Sequence, residues 1–276
     1  MEKQYYYAYS QYLKDKYGEK VYKLPVNLPV TCPNKKDGKG CLFCAEAGTG
    51  FEASDSSVSV FEQLAASRTK IEKRYHAHKF IAYFQNYTNT FLPLDRLLGY
   101  MEEASKVEDI VEISISTRPD CIRQDYLEAF YEFSSRTGIE VSIELGLQTV
   151  NYHTLMEMNR GHGLAEFIDA VLRIAPYHFP VCVHMILNLP GDTMDDAEES
   201  ARILSTLPIS MVKLHSLYIP KQCELYDKYI RGEIEICPKE EYLNRLTEFI
   251  ALLRPDITVE RLFSRIPEKD SAFSNW

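Results

Sequence analysis

IVEISISTRPDCIRQDYLEAFYEFSSRTGIEVSIELGLQ, residues 110–148, is the stretch that decides the fold. Two runs rich in β-branched residues, Ile110–Ser116 and Val141–Leu147, bracket an amphipathic stretch, Arg123–Arg136. Gly138, directly after Thr137, suits a helix C-terminal stop, where a left-handed residue is easiest for glycine. A strand, a helix and a second strand in this order form a βα unit whose strands run parallel.

The unit recurs. Further strands are expected at Val21–Val30, Lys79–Gln85, Val181–Leu187 and Met211–Tyr218, and from Lys79 onward the strands begin about 30 to 40 residues apart. Amphipathic helices are expected at Val58–Tyr75, Pro93–Lys106, Leu164–Ala175, Met194–Thr206 and Lys239–Leu252. Pro93 suits a first helical turn. Near-continuous apolar strands imply an α/β protein with a parallel sheet buried on both faces, either an open doubly wound sheet or a curved partial barrel. Spacing alone does not choose between them. An eight-stranded barrel needs two more units, and Ile257–Phe263 offers room for one short strand. In both arrangements the chemistry belongs at the C-terminal ends of the strands. Those ends are polar in every unit: Gln85, Asn86 and Tyr87; Ser116, Thr117, Arg118 and Asp120; Glu144, Gly146 and Gln148; His184 and Asn188; His215.

The chain's 276 residues fit one α/β barrel, and nothing in the composition divides 1–276 into two domains. Residues 1–20 are read as an N-terminal extension and 254–276 as a C-terminal segment. With 45% hydrophobic and 26% charged residues, disordered and coiled-coil classes are excluded. Prolines 176, 180 and 190 interrupt the longest uncharged stretch, Ile174–Gly191, so no membrane association is expected. The N-terminus, MEKQYYYAYSQYLKDKYG, lacks the apolar run of a signal peptide, and a cytoplasmic location is expected. Net charge is −9, which argues against nucleic acid, but residues 1–79 hold 13 basic against 9 acidic side chains and residues 80–276 hold 18 against 31.

Seven cysteines without an export signal point to metal or redox chemistry rather than disulfides. Three of them, Cys32, Cys41 and Cys44, lie in TCPNKKDGKGCLFC (31–44), where Pro33, Gly38 and Gly40 let the backbone curl. Structural zinc wants four ligands, and the nearest histidine in sequence is His76. An iron–sulfur cube on three cysteines leaves one iron open to a small molecule. Zinc with a distant ligand, and three buried free thiols, are the competing readings. Cys121, Cys182, Cys223 and Cys237 show no paired spacing and are expected to pack in the core.

The three-cysteine loop after the first strand, with Phe43 before its last cysteine, resembles radical S-adenosylmethionine (SAM) enzymes. The eight-residue first spacing resembles the subgroup of the Elp3 radical domain and the YhcC/YtqA-like proteins. VYKLPVNLPVTCPN (21–34), YFQNYTNT (83–90), STRPD (116–120), ELGLQT (144–149), NRGH (159–162), VCVHMILNLPG (181–191) and KLH (213–215) match the latter in order. The resemblance implies a partial (β/α)6 TIM-type barrel and a [4Fe–4S] cluster on Cys32, Cys41 and Cys44. It also implies SAM bound at the open iron and cleaved by one electron to a 5′-deoxyadenosyl radical. A low-potential donor of flavodoxin or ferredoxin type would supply that electron.

The same resemblance distributes roles. Phe43 is a candidate to pack on adenine or to cover the cluster. Gln85, Asn86 and Tyr87 stand where relatives carry a Gly-Gly-Glu motif for the methionine amino group, which this chain lacks. Ser116 and Arg118 are candidates for ribose and carboxylate, and Glu144 and Gln148 for ribose hydroxyls. Asn188 stands beside the adenine-contacting strand where glycine is common. Asp120, Arg160, His162, His184 and His215 are the substrate-side candidates.

For this branch, sometimes called MnmL-type, the implied substrate is transfer RNA. The implied reaction converts carboxymethylaminomethyl to aminomethyl at C5 of a wobble uridine, and CAEAGTGFE (44–52) belongs to the same likeness. Arg68, Lys70, Lys73, Arg74 and Lys79 with His76 and His78 are the candidate RNA surface, against a solvated helix end suited to the helix dipole. Tyr5, Tyr9 and Tyr12 are expected on one helical face, more as packing than as base stacking. The acidic run after Gly191 reads as helix capping. A small metabolite or peptide as radical substrate, and a non-catalytic iron–sulfur or zinc protein, are the alternatives. Related chains continue past SRIPEKDSAFSNW, so a capping segment is expected to be missing.

Overall fold

The computed structural model describes residues 5–36, 38, 40–44, 54–221, 223–264 and 270–273. Residues 45–52 of CAEAGTGFE and most of the terminal SRIPEKDSAFSNW lie outside them.

One sheet dominates. Its strands are β1 (Tyr7–Ala8), β2 (Val21–Val26), β3 (Lys79–Phe84), β4 (Ile110–Thr117), β5 (Glu140–Gln148), β6 (Val181–Ile186), β7 (Met211–His215) and β9 (Thr258–Arg261). They pair in the order β1-β9-β7-β6-β5-β4-β3-β2, all parallel. The sheet curls into a half-barrel whose two edges, β1 and β2, are not hydrogen-bonded to each other. The six strands from β2 to β7 are the expected units, and β9 falls inside Ile257–Phe263.

Two strand expectations are corrected. The strand from Met211 stops at His215, not Tyr218, because the chain leaves the barrel there and Ile219–Pro220 (β8) pairs antiparallel with Ser271–Phe273 (β10). Nor is the sheet apolar on both faces. Leu24, Phe80, Ile113, Val141, Val183 and Val212 face outward into the main core. Lys23, Tyr83, Ser116, Glu144, His184 and Lys213, which alternate with such residues, line an interior cavity instead. This two-residue period is that of a sheet with one dry face and one polar face.

The helices are α1 (Tyr9–Tyr17), α2 (Pro33–Lys36), α3 (Val60–Tyr75), α4 (Leu94–Ser105), α5 (Gln124–Thr137), α6 (Tyr152–Glu157), α7 (Leu164–Ile174), α8 (Met194–Thr206), α9 (Glu224–Ile230) and α10 (Lys239–Leu252). Their ends follow local chemistry. Ser59 and Glu62 close a capping box on α3, and Thr193 with Asp196 does so on α8, which absorbs the acidic run after Gly191. Gly138 ends α5 in the left-handed conformation at φ 72°, as the sequence implies. No helix among the described residues is long and apolar enough to cross a membrane.

Helix α1 occupies the N-terminal end of the barrel. Leu13 packs on Val21 and Ile81, and the Tyr17 hydroxyl donates to Glu112 at 2.8 Å and to Glu140 at 3.0 Å. Tyr9 stacks on Tyr12 within this plug, whereas Tyr5 precedes the helix and is exposed, so the three tyrosines do not share one helical face.

Candidate active site

The cysteine loop follows β2 and is anchored by its own apolar residue. Leu42 is buried in a second hydrophobic cluster with Met158, Ile186, Leu189, Leu217 and Leu225. Its backbone donates to Met158 O at 3.1 Å and accepts from Leu225 N at 2.9 Å. Asn34 Nδ2 donates to Asn159 O at 2.7 Å, and Asn159 Nδ2 returns a bond to Gly40 O at 2.8 Å. The NRGH segment thus clasps the loop from behind.

Two arginines meet the sulfurs. Arg160 Nη1 lies 3.3 Å from Cys41 Sγ, and Arg118 Nη1 lies 3.7 Å from Cys32 Sγ. Arg118 is held by Asp120 through bonds of 2.9 and 2.7 Å and by Gly161 O at 2.9 Å. Burial works against its charge, but Asp120 and Cys32 more than offset this and raise its pKa. Gly161, at φ 71°, brings the backbone so close that a Cβ would sit 2.3 Å from Asn34 Oδ1 and 3.0 Å from Arg118 Nη2. All seven cysteines are free. Burial pushes the Cys44 thiol up to about 11, with Lys35 opposing, so loading a metal here releases a proton.

Cys32, Cys41 and Cys44 all line one cavity of about 1050 Å³. They do not form a set drawn within 4.8 Å of one another, the spacing expected for a single ion. Three soft donors on one wall, spread apart and flanked by cations, fit an anionic iron–sulfur cube better than one zinc. Of the other candidates, Phe43, Gln85, Tyr87, Ser116, Arg118, Glu144, Gln148, Arg160, His184 and His215 share this cavity. Tyr87 takes φ 56° and carries Lys35 Nζ 5.0 Å above its ring.

Four candidates stand off the cavity wall. Asn86 Nδ2 donates to Asn27 Oδ1 at 2.6 Å, and Asn188 Oδ1 accepts from Leu217 N at 2.6 Å. Asp120 is spent on Arg118. His162 sets Nε2 against Gly146 O at 3.1 Å, and burial followed by the Arg160 charge lowers its pKa to about 4. The Asn89 of YFQNYTNT also has a structural part, since its Nδ2 donates to Phe84 O and Ser116 O, both at 2.8 Å, tying the ends of β3 and β4.

Sequence reasoning named Glu144 and His184 but missed the Lys23, Lys213 and Glu260 that complete the floor of the cavity. Glu144, 1% exposed, meets Lys23 at 2.5 Å, Lys213 at 3.2 Å, Ser114 at 3.1 Å and His184 Nε2 at 2.5 Å. Glu260 meets Lys23 at 2.7 Å and Lys213 at 2.9 Å. Burial alone would raise the Glu144 pKa, but Lys213 and Lys23 hold it well below the usual carboxylate range. Glu144, Cys182 and His184 come within 4.8 Å of one another, yet the two ammonium groups already neutralise the carboxylates, which argues against a cation there. The signal available in the sequence was the alternation of Lys23, Glu144, Lys213 and Glu260 with apolar neighbours.

The candidate RNA surface on α3 lies apart from the cysteine loop. Arg68 pairs with Asp109 at 2.6 Å, just before β4, and Lys79 opens β3, pairing with Glu19 at 3.3 Å. The run therefore sits at the N-terminal ends of the strands, opposite the cysteine loop. The cavity carries the cations instead. Among the described residues, eight Lys and Arg side chains line it against two carboxylates, with eight aromatic rings among them.

A half-barrel whose three-cysteine loop opens on a cavity lined by cations and aromatic rings is the architecture of an enzyme that loads a cofactor. Residues 26–204 match the model of the Radical SAM superfamily, and residues 209–276 match that of the Radical_SAM C-terminal domain. The chain belongs to the radical SAM superfamily and is a radical SAM enzyme. It is 31% identical to YtqA of Bacillus subtilis over 261 residues, covering 93% of this chain and 80% of that one. It is 32% identical to YhcC of Escherichia coli over 254 residues, covering 91% and 80%. A more distant relative, a tRNA uridine(34) acetyltransferase of Methanocaldococcus infernus, is 23% identical over 60% of this chain and 32% of its own. Among solved structures, the Elp3 of that archaeon superposes with a TM-score of 0.67 at 17% identity, over 92% of this chain and 59% of its own.

Proposed function

We propose that Cys32, Cys41 and Cys44 hold a [4Fe–4S] cluster and that the enzyme modifies tRNA. In this reading it converts a carboxymethylaminomethyl group at C5 of a wobble uridine to aminomethyl. The observation that carries the tRNA reading is the reversal of charge at the cavity. A chain of net charge −9 lines one cavity with eight cations against Glu144 and Glu260 and interleaves them with aromatic rings. Cations that track phosphates, and rings on which bases stack, are what an extruded nucleotide requires. The likeness to a tRNA uridine(34) acetyltransferase supports the same substrate class.

The cluster with SAM, reduced by a flavodoxin- or ferredoxin-type donor, would supply a hydrogen-abstracting 5′-deoxyadenosyl radical. The chain's own residues do the rest. Arg118 and Arg160 place positive charge beside the sulfurs of Cys32 and Cys41, where an anionic cluster would need it. Leu42 and the NRGH segment fix the loop, while Phe43, Gln85, Tyr87, Ser116 and Gln148 line the space above the charged floor. Lys14, Lys20 and Arg261 also line the cavity and form no ion pair among the described residues. They are left to meet phosphate or carboxylate.

Nucleoside mass spectrometry of tRNA from cells with and without the gene tests this directly. Accumulation of carboxymethylaminomethyluridine derivatives in its absence is expected; an unchanged wobble-uridine profile removes the tRNA reading. After anaerobic reconstitution, an iron–sulfur chromophore that persists in a Cys32→Ala/Cys41→Ala/Cys44→Ala variant would remove the ligand assignment.

A further inference from the structure

We propose that His184, backed by Glu144, is the base that takes the ammonium proton from the substrate's side-chain amine before a hydrogen atom is abstracted from the adjacent carbon. This rests on the tRNA reading above, in which the reacting group is a secondary amine flanked by a carboxymethyl arm.

The need for a base comes from the substrate. An alkylamine of this kind has a pKa of roughly 8 to 10 and is a cation at neutral pH. A carbon radical is stabilised by an adjacent nitrogen lone pair, and the ammonium form has none to give. The proton must leave first, and the cavity must hold an acceptor.

The geometry offers one. His184 Nε2 is 2.5 Å from Glu144 Oε2. With the carboxylate held ionised by Lys23 and Lys213, this nitrogen carries the proton and donates it, which leaves the lone pair on Nδ1. Nδ1 has no partner among the described residues, and the ring lines the cavity. In the transfer the substrate N–H bond breaks and an Nδ1–H bond forms. The imidazolium so made faces Glu144, which stabilises it as a carboxylate stabilises the histidine of a hydrolase triad.

The charges around the ring permit the step. Glu144 on β5 and Glu260 on β9 favour the imidazolium; Lys213 on β7 and Lys23 on β2 oppose it, and Cys182 on β6 is a buried thiol. Burial lowers the His184 pKa, so the resting ring is neutral but a weaker base than the amine; the transfer runs forward because Glu144 stabilises the imidazolium and hydrogen abstraction consumes the free amine. His215 stacks on His184 at 5.2 Å between centroids, and its buried Nε2 has no partner among the described residues.

The test is a His184→Gln variant, which keeps a donor to Glu144 and removes the base. With reconstituted enzyme, SAM, dithionite and tRNA carrying carboxymethylaminomethyluridine, aminomethyl product at pH 7 should fall about 100-fold or more. Affinity for tRNA should change less than about twofold, and activity should return toward pH 9 as the amine deprotonates by itself. Equal product and an unchanged pH profile in the variant would overturn the proposal while leaving the tRNA reading intact; no product from the wild type at any pH would instead remove that reading. Histidine-ring ¹⁵N NMR of the wild-type protein gives a check that does not depend on the variant folding. An Nε2–H tautomer at His184 supports the assignment, and an Nδ1–H tautomer contradicts it.

Discussion

Gly161 and Asp192 illustrate how single residues set the tolerance of the site. The left-handed backbone of Gly161 lies against Asn34 and Arg118, the two side chains that hold the cysteine loop in place. Gly161→Ala should cost about 1–3 kcal/mol in strain and displacement, lower the melting temperature and reduce the iron bound after reconstitution. Thermal unfolding together with iron and sulfide analysis measures both. Asp192 carries a buried Oδ1 without a partner among the described residues, and burial raises its pKa to about 6. The folded state therefore binds the proton more tightly than the unfolded chain. Its contribution to stability is full below about pH 4 and is lost as pH rises toward 6. Asp192→Asn should flatten the fall in melting temperature across that window and raise stability at pH 7.5; an identical pH profile would show that the carboxyl ionises freely.

At the scale of elements, the half-barrel joins its edges with side chains instead of a ladder. Lys23 on β2 reaches Glu260 on β9 across the seam, and both reach β5 or β7 through Glu144 and Lys213. Removing one cation leaves a carboxylate short of partners in a buried setting. Lys23→Met should destabilise the protein by about 3 kcal/mol, and adding Glu260→Gln should recover part of that loss. Urea unfolding of the single and double variants measures the coupling. These elements also mark what the sequence could reveal. The βα units were legible because each outward strand face is apolar and each helix amphipathic, and α8 and α10 have the expected bounds. The polar inward face was not, because runs such as IVEISIST, where small serines alternate with β-branched residues, look continuous unless read two residues at a time. Short elements such as α9 and β8 pack around Leu42 and leave little local pattern. The cysteines were legible from spacing. Their supports, Asn34, Asn159 and the charged floor, depend on contacts across more than 100 residues of chain.

Over the whole molecule, net charge and local charge have opposite signs. The α3 run that looked basic in sequence is partly neutralised at the far end of the barrel, while the cavity gathers cations from α1, β2, β7, β9 and the cysteine loop. Binding to tRNA should therefore weaken with salt. Lys14→Gln/Lys20→Gln/Arg261→Gln should reduce the slope of log affinity against log salt by about 2 to 3, and Lys70→Gln/Lys73→Gln should leave it unchanged. Fluorescence anisotropy across a salt series separates the two surfaces. The central claim, that this cavity removes a carboxymethyl group from a tRNA side chain by radical chemistry, meets its most direct test in one anaerobic reaction. Reconstituted protein, SAM, dithionite and tRNA bearing carboxymethylaminomethyluridine are combined, and both the nucleosides and 5′-deoxyadenosine are quantified by mass spectrometry. The account predicts aminomethyluridine formed together with 5′-deoxyadenosine; 5′-deoxyadenosine formed while the tRNA stays unchanged would contradict it.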